Sequence, residues 1–232
     1  MATSGTYTFN LDTAHIIEEA YERIGQQTKT GNDLKTARRS LNLLLTKWVN
    51  DGVNLFTLDL TTTSLTKDVN NITLSASQYL DVLDGAIRDN SDTSNPQDIS
   101  IERISLDDYL NIPTKNDTGK PVQFAVERNS QFTNAGTGTH KIYFWPIPDQ
   151  TYYQFTSWTI RYPQDVTTTY TQNPDIPRRY LPALISGLAV ELAVKFAPDR
   201  LNILKPLYDE EWMKAKEEDR ERVSFYVQPQ VY

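Results

Sequence analysis

Cysteine is absent from the 232 residues, which excludes a disulfide framework, a thiolate zinc site and a cysteine nucleophile. Histidine occurs only as His15 and His140, too few and too far apart in sequence for a transition-metal or charge-relay site. His15 falls on an amphipathic helix and His140 in a Gly-Thr loop, so surface or capping roles are expected for both. The nine glycines form no G-x-S-x-G, G-x-G-x-x-G or phosphate-loop pattern; Gly119-Lys120 lacks the upstream glycine and runs into Pro121. No catalytic residue, cofactor or metal is therefore expected. Positive charge is also short, with 23 basic against 30 acidic side chains and a net charge of −7, so no overall field holds phosphates by counterion release. Long apolar runs are missing too. The most apolar stretch, Ile185 to Ala197, is broken by Gly187, Glu191 and Lys195, and the opening MATSGTYTFN lacks a basic segment leading into an apolar one. Neither a membrane span nor a signal peptide is expected.

What is present divides the chain by composition. Residues 1–52 carry six basic and six acidic side chains and residues 178–232 carry nine of each, whereas residues 53–177 carry eight against fifteen and 19 of the 27 threonines. The middle is built differently from the ends. Near the start, Ile16, Ile17, Ala20, Tyr21 and Ile24 recur at helical spacing between Asp12, an N-cap, and Gly25, a left-handed stop. Leu34, Ala37, Leu41, Leu44, Leu45 and Trp48 then step by three and four opposite Lys35, Arg38, Arg39 and Asn42, until Asp51-Gly52 ends the pattern. After Pro177, the apolar positions from Leu181 to Phe196 form one wide helical face whose alanines and glycine permit close contact, and Pro198 ends it. A fourth helix, from Leu201, grades into the mixed charges of KAKEEDRER.

Between these helices the period changes to two. Alternating or β-rich segments occur at Leu55–Thr66, Val69–Leu74, Leu83–Arg88, Ile99–Ile104, Val122–Arg128, Lys141–Trp145 and Tyr152–Tyr162, a count that fits a barrel or sandwich. Ser105, followed three residues later by Asp108, caps one helical turn stopped by Pro113. The pattern predicts an α+β protein: a discontinuous four-helix domain from residues 1–52 and 178–222, an inserted acidic antiparallel β-rich domain over 53–177, and a C-terminal segment, 223–232. Tyr143, Trp145, Tyr152, Tyr153, Phe155, Trp158 and Tyr162 place aromatics on both faces of two strands, more than a core needs, so some belong at an interface.

Acid pairs raise another reading, a glycan hydrolase, since two carboxylates at the right separation cleave glycosides. Asp107 and Asp108 are better explained as first-turn helix acids, and Glu210, Glu211, Glu217, Glu218 and Asp219 as a solvated helix face. Asp89, Asp92 and Asp98 lack calcium-loop spacing. A carbohydrate-binding β module is the other alternative, for which exposed aromatics would form a flat platform.

Three stretches carry a family resemblance: LNLLLTKWVNDGVNLF from Leu41 to Phe56, GKPVQFAVER with KIYFWPIPD from Gly119 to Asp149, and DIPRRYLPALISGLAVELAVKFAPD from Asp175 to Asp199. In order and content they resemble head-to-tail adaptors of short-tailed bacteriophages, the tail accessory factor and tubular tail protein families. Trp48, Gly52, Phe56, Trp145, Pro146, Pro148 and Pro198 are the residues that match the family pattern. The resemblance implies a virion structural protein, assembled in the host cytoplasm into a homo-oligomeric ring, usually of twelve copies. Such a connector lies at the head-tail junction, binds the portal, closes the channel for DNA ejection and supports the tail nozzle or other tail proteins. DNA would pass through without sequence-specific binding, sliding past an acidic wall that repels phosphate. The C-terminal segment, with Phe225, Tyr226, Val227, Val231 and Tyr232 interrupted by Pro229, can neither continue a helix nor form a core, so a portal or neighbour-subunit docking arm is expected.

Overall fold

The computed structural model describes residues 5–6, 9–27, 31–52, 55–130, 132–133 and 136–219. In chain order its helices are α1 (Thr13–Arg23), α2 (Gly31–Asn50), α3 (Leu106–Asn111), α4 (Leu181–Phe196) and α5 (Leu201–Glu218). The strands are β1 (Leu58–Ser64), β2 (Asn71–Ser75), β3 (Tyr79–Asp89), β4 (Gln97–Arg103), β5 (Thr118–Gly119) and β6 (Gln123–Glu127), followed by β7 (Phe132–Thr133), β8 (Gly136–Thr137), β9 (Thr139–Trp145), β10 (Ile147–Pro148) and β11 (Tyr153–Arg161). The architecture is mixed α+β and splits into two compact units, Met1–Phe56 with Pro163–Tyr232, and Thr57–Tyr162.

In the first unit α4 is the central element. Its residues are apolar almost all round, which suits a helix surrounded by others, and it packs against α1, α2 and α5. Asp12 caps α1 by accepting from the His15 N–H at 2.9 Å, and Gly25 follows the helix at a φ of 73°. Ile16, Ile17 and Tyr21 of α1 and Leu41, Leu44 and Trp48 of α2 meet Leu184, Leu188 and Leu192 in one core. A Cβ on Gly187 would lie 2.8 Å from both Leu44 Cδ2 and Tyr208 Cε2, so this glycine sets how closely the helices approach.

The return segment, 163–177, differs from expectation. Grouped above with the β-rich residues, it instead belongs with the helices: Thr13 and Ala14 at the start of α1 donate to the Gln172 and Tyr170 carbonyls, at 3.0 and 2.9 Å. The Asn42 side chain both accepts from Val166 N–H (2.9 Å) and donates to its carbonyl (3.2 Å), while Val166, Tyr170 and Ile176 join the helical core. These are side-chain-to-backbone bonds between distant residues, which periodicity does not register.

The second unit is a single curled sheet of seven strands in the order β1-β11-β3-β4-β6-β9-β2, neither a closed barrel nor two separate sheets. β4 makes the curl. Residues 97–101 pair antiparallel with β3, whereas Glu102 and Arg103 pair parallel with β6. The two halves thus face each other across Phe124, Phe144 and Phe155, whose rings lie 5.3 and 5.0 Å apart around Phe155. A Cβ on Gly85 would fall 2.4 Å from the Phe155 ring, so the strand requires glycine there. Ser105 caps α3 reciprocally, accepting from the Asp108 N–H and donating to its carboxylate. The short pairs β5–β10 and β7–β8 lie outside the main sheet.

Candidate functional site

The family-pattern residues fall in two places. Trp48, at the end of α2, is buried; its indole N–H donates to the Tyr208 hydroxyl at 3.0 Å, and it stacks on Trp212 with centroids 4.6 Å apart. Phe56 meets Tyr180 at 5.3 Å, and Tyr180 meets Trp48 at 5.6 Å. This aromatic knot joins α2, α5 and the turn before α4, where burial pushes the Tyr208 hydroxyl above its ordinary range. Gly52 has a φ of 77°, and a methyl group added to it would meet nothing within 4 Å, so its requirement is conformational. Pro198 opens a 3-10 turn directly after α4.

Trp145, Pro146 and Pro148 stand together in the other unit. The Trp145-Pro146 peptide is cis, the Trp145 indole donates to the Thr114 carbonyl at 3.0 Å, and the Pro148 carbonyl accepts from Asp68 at 2.9 Å. The segment anchors its own loops. The remaining named residues, Phe225, Tyr226, Val227, Pro229, Val231 and Tyr232, lie outside the described residues.

Histidine behaves differently from the sequence expectation at one position. His140 is in β9 and 5% exposed; Nδ1 accepts from the Asn129 N–H at 3.0 Å, which assigns the proton to Nε2, 2.8 Å from the Tyr79 carbonyl. It is a buried strut that ties β9 to two other segments. His15 is exposed beside Asp12, as a surface role predicts.

The acids are engaged locally. Asp108 is part of the α3 cap, Glu210 pairs with Lys214 on α5, and Glu211 is half-buried, bonded to the Ser186 hydroxyl and near Arg23, so it is not a solvated residue as the charge pattern predicts. Asp89 holds Lys120 at 2.7 Å, and that bond holds its carboxyl down at about 2. Asp98 takes Arg88 in a two-point clasp, and Asp81 lies between Arg103 and Arg128. Among the described residues, no group of three or more His, Cys, Asp or Glu side chains could hold a metal ion.

Surface features carry what enclosed chemistry does not. Leu60 and Trp158, 57% and 48% exposed, stand directly opposite each other on β1 and β11. On α5, Ile203, Leu207 and Met213 are exposed, and on α4 Val194 is exposed. A groove of 560 Å³ along α2 is lined by Lys35, Arg38, Arg39, Asn42 and residues of the return segment. A second, smaller pocket between α2, α4 and α5 is lined by Leu44, Gly187, Val190, Tyr208 and Trp212 with Lys47, Asp51 and Glu191.

A family model described as SU10 adaptor protein matches residues 16–227, from within α1 across both units. The chain belongs to the SU10 adaptor protein family. It is a phage head-to-tail adaptor, a structural class of virion protein. No curated protein sequence matches the adaptor. No helix among its described residues is long and apolar enough to cross a membrane.

Proposed function

We propose that the adaptor assembles into a ring of about twelve copies between the portal and the tail nozzle, closing the DNA channel after packaging and offering a platform for tail attachment. The observation that carries this reading is the family match over residues 16–227, which spans both units. The four long helices, brought together from the two ends of the chain, act as one ring-building domain discontinuous in sequence. Exposed apolar side chains on α4 and α5 fit neighbour contacts, since they are surplus to the helical core.

The β-rich residues 57–162 carry eight basic against thirteen acidic side chains. An acidic wall of that kind lets a duplex slide because it forms few phosphate contacts. The C-terminal residues 223–232 serve as the docking arm, reaching the portal or an adjacent copy through Phe225, Tyr226, Val227, Val231 and Tyr232. The adaptor performs no catalytic turnover. The glycan hydrolase reading is disfavoured because Asp108, Glu210 and Glu211 are held by local partners, where a general acid and its base must face a substrate.

Sedimentation of the purified adaptor alone and mixed with its portal tests the reading. A ring bound to portal is expected. A protein that stays monomeric with portal, and is absent from the head-tail junction of a virion reconstruction, would overturn it.

A further inference from the structure

The sheet of the β-rich unit ends in a strand that is ready to pair. β1 is bonded on one side only, to β11, in seven consecutive antiparallel pairs without a register shift, whereas β11 pairs with β3 through two irregularities. Which groups face outward follows from one bond. Leu65 N–H donates to the Tyr153 carbonyl at 2.9 Å, so the hydrogen-bonded pairs run through Thr63, Thr61 and Asp59. The N–H and C=O groups of Leu58, Leu60, Thr62 and Ser64 therefore point away from β11, and no backbone partner among the described residues meets them. The usual guards of an exposed edge are missing. β1 has no lysine, no proline and no bulge, and its one charge, Asp59, is paired with Arg161 at 3.3 Å. Beside this edge stands the exposed Leu60–Trp158 pair.

We propose that β1 receives, as an added strand, residues 223–228 of a neighbouring copy. The inference rests on the docking-arm reading and names where the arm goes. In Val223-Ser224-Phe225-Tyr226-Val227-Gln228 the apolar Val223, Phe225 and Val227 alternate with the more polar Ser224, Tyr226 and Gln228, so an extended segment has one apolar face for Leu60 and Trp158. Pro229 follows and ends the ladder, lacking an N–H. Six residues suit an edge of seven. An arm and an edge on the same chain make a heterologous contact, which repeated around a ring gives each edge one arm and leaves neither over. β2, the free strand at the other end of the sheet, is shorter and lies away from the Leu60–Trp158 pair.

The lack of cysteine makes the test clean in the full-length adaptor. Thr62→Cys in one tagged copy is mixed with single cysteines at positions 223 to 227 in a differently tagged copy and treated with a short bismaleimide. Cross-links between the two tags are expected, several-fold stronger at Val223→Cys, Phe225→Cys or Val227→Cys than at Ser224→Cys or Tyr226→Cys, because Thr62 lies on the Leu60 face. With Ser64→Cys as reporter, Thr62→Pro should lower the cross-linked fraction at least tenfold, since it removes an outward N–H without touching the β1–β11 ladder, and Thr62→Val should leave it unchanged. Circular dichroism checks the fold of each variant; should Thr62→Pro not fold, the alternation along 223–227 still decides. Links confined to a single chain, no alternation, or equal linking in Thr62→Pro overturn the inference. If those results coincide with loss of portal attachment on deleting 223–232, the arm docks elsewhere, and only the strand assignment fails.

Discussion

Gly187→Ala offers a demanding test of the helical unit, because two opposing effects can be separated. In an exposed helix the change would stabilise by about 1 kcal/mol, since alanine loses less backbone entropy on folding. Here the new methyl group would lie 2.8 Å from Leu44 Cδ2 and 2.8 Å from Tyr208 Cε2, closer than such atoms normally approach. Tyr208 cannot yield freely, because its hydroxyl accepts the Trp48 indole N–H at 3.0 Å, and Leu44 is 1% exposed. Overpacking of this kind costs about 1 to 3 kcal/mol, so the net effect is a loss of about 1 kcal/mol, and Gly187→Val should lose more. Leu44→Ala alone should cost about 2 to 5 kcal/mol through the cavity it leaves, and assembly should fail through misfolding. In that background the Leu44 clash is gone while Tyr208 Cε2 still lies 2.8 Å from the new methyl group, so Gly187→Ala should cost less than it does alone, giving a coupling of about 1 kcal/mol across the pair. Urea unfolding followed by near-ultraviolet dichroism and tryptophan emission reads the change, since Trp48 and Trp212 report on this unit. A higher midpoint for Gly187→Ala in the otherwise unchanged adaptor, or strict additivity with Leu44→Ala, would refute the close approach of α4 to α2 and α5.

His140→Phe should destabilise by about 1 to 3 kcal/mol, measured by denaturant unfolding, because the half-buried Asn129 N–H and Tyr79 carbonyl lose their partner. The Asp89 carboxyl, held at about 2 by Lys120, contributes stability present above its unfolded value near 4 and lost as pH falls through the folded one; in Lys120→Met its NMR titration should move up toward the ordinary range. Tyr21, raised to about 12 by burial, and Tyr143, raised to about 12 by its bond to Glu127, contribute stability present below pH 10 and lost toward pH 12. Spectrophotometric titration should show both ionising late in the folded adaptor, with Tyr143 moving earlier in Glu127→Gln.

Periodicity is enough to read the regular elements from the chain. Each of the seven alternating segments corresponds to a strand of the main sheet, and the capping residues Asp12, Gly25 and Ser105 act where their chemistry places them. The need for glycine at 85 leaves no local signal, because what requires it is the Phe155 ring on another strand, 70 positions away in sequence. Likewise His140 reads as a loop residue because its neighbours are Gly, Thr and Lys; only the pairing of β9 with β2 and β6 reveals that its side chain points inward. The return segment escapes periodicity for a related reason. Its order comes from Asn42 and from the first N–H groups of α1, neither of which leaves a pattern among residues 163–177 themselves. Among the family-pattern residues, Trp48 and Phe56 turn out to be internal packing, a role that an aromatic at a helix end shares with any interface aromatic until its contacts are known.

The register of β1 on β11 has a consequence for how the adaptor folds. Leu58 stands opposite Ile160, so the inserted unit brings its own first and last residues side by side. Without that pairing, joining α1 and α2 to α4 and α5 would close a loop of more than a hundred residues, at an entropic cost of roughly 4 kcal/mol. Once the sheet exists, the effective loop runs only through residues 51–57 and 161–180, roughly thirty residues in all. The helices then search for each other across a loop several times shorter, which lowers the effective contact order of the helical unit. Destabilising the sheet should therefore slow the folding of helices it does not stabilise, while changes confined to the helices should leave the rate of sheet formation alone.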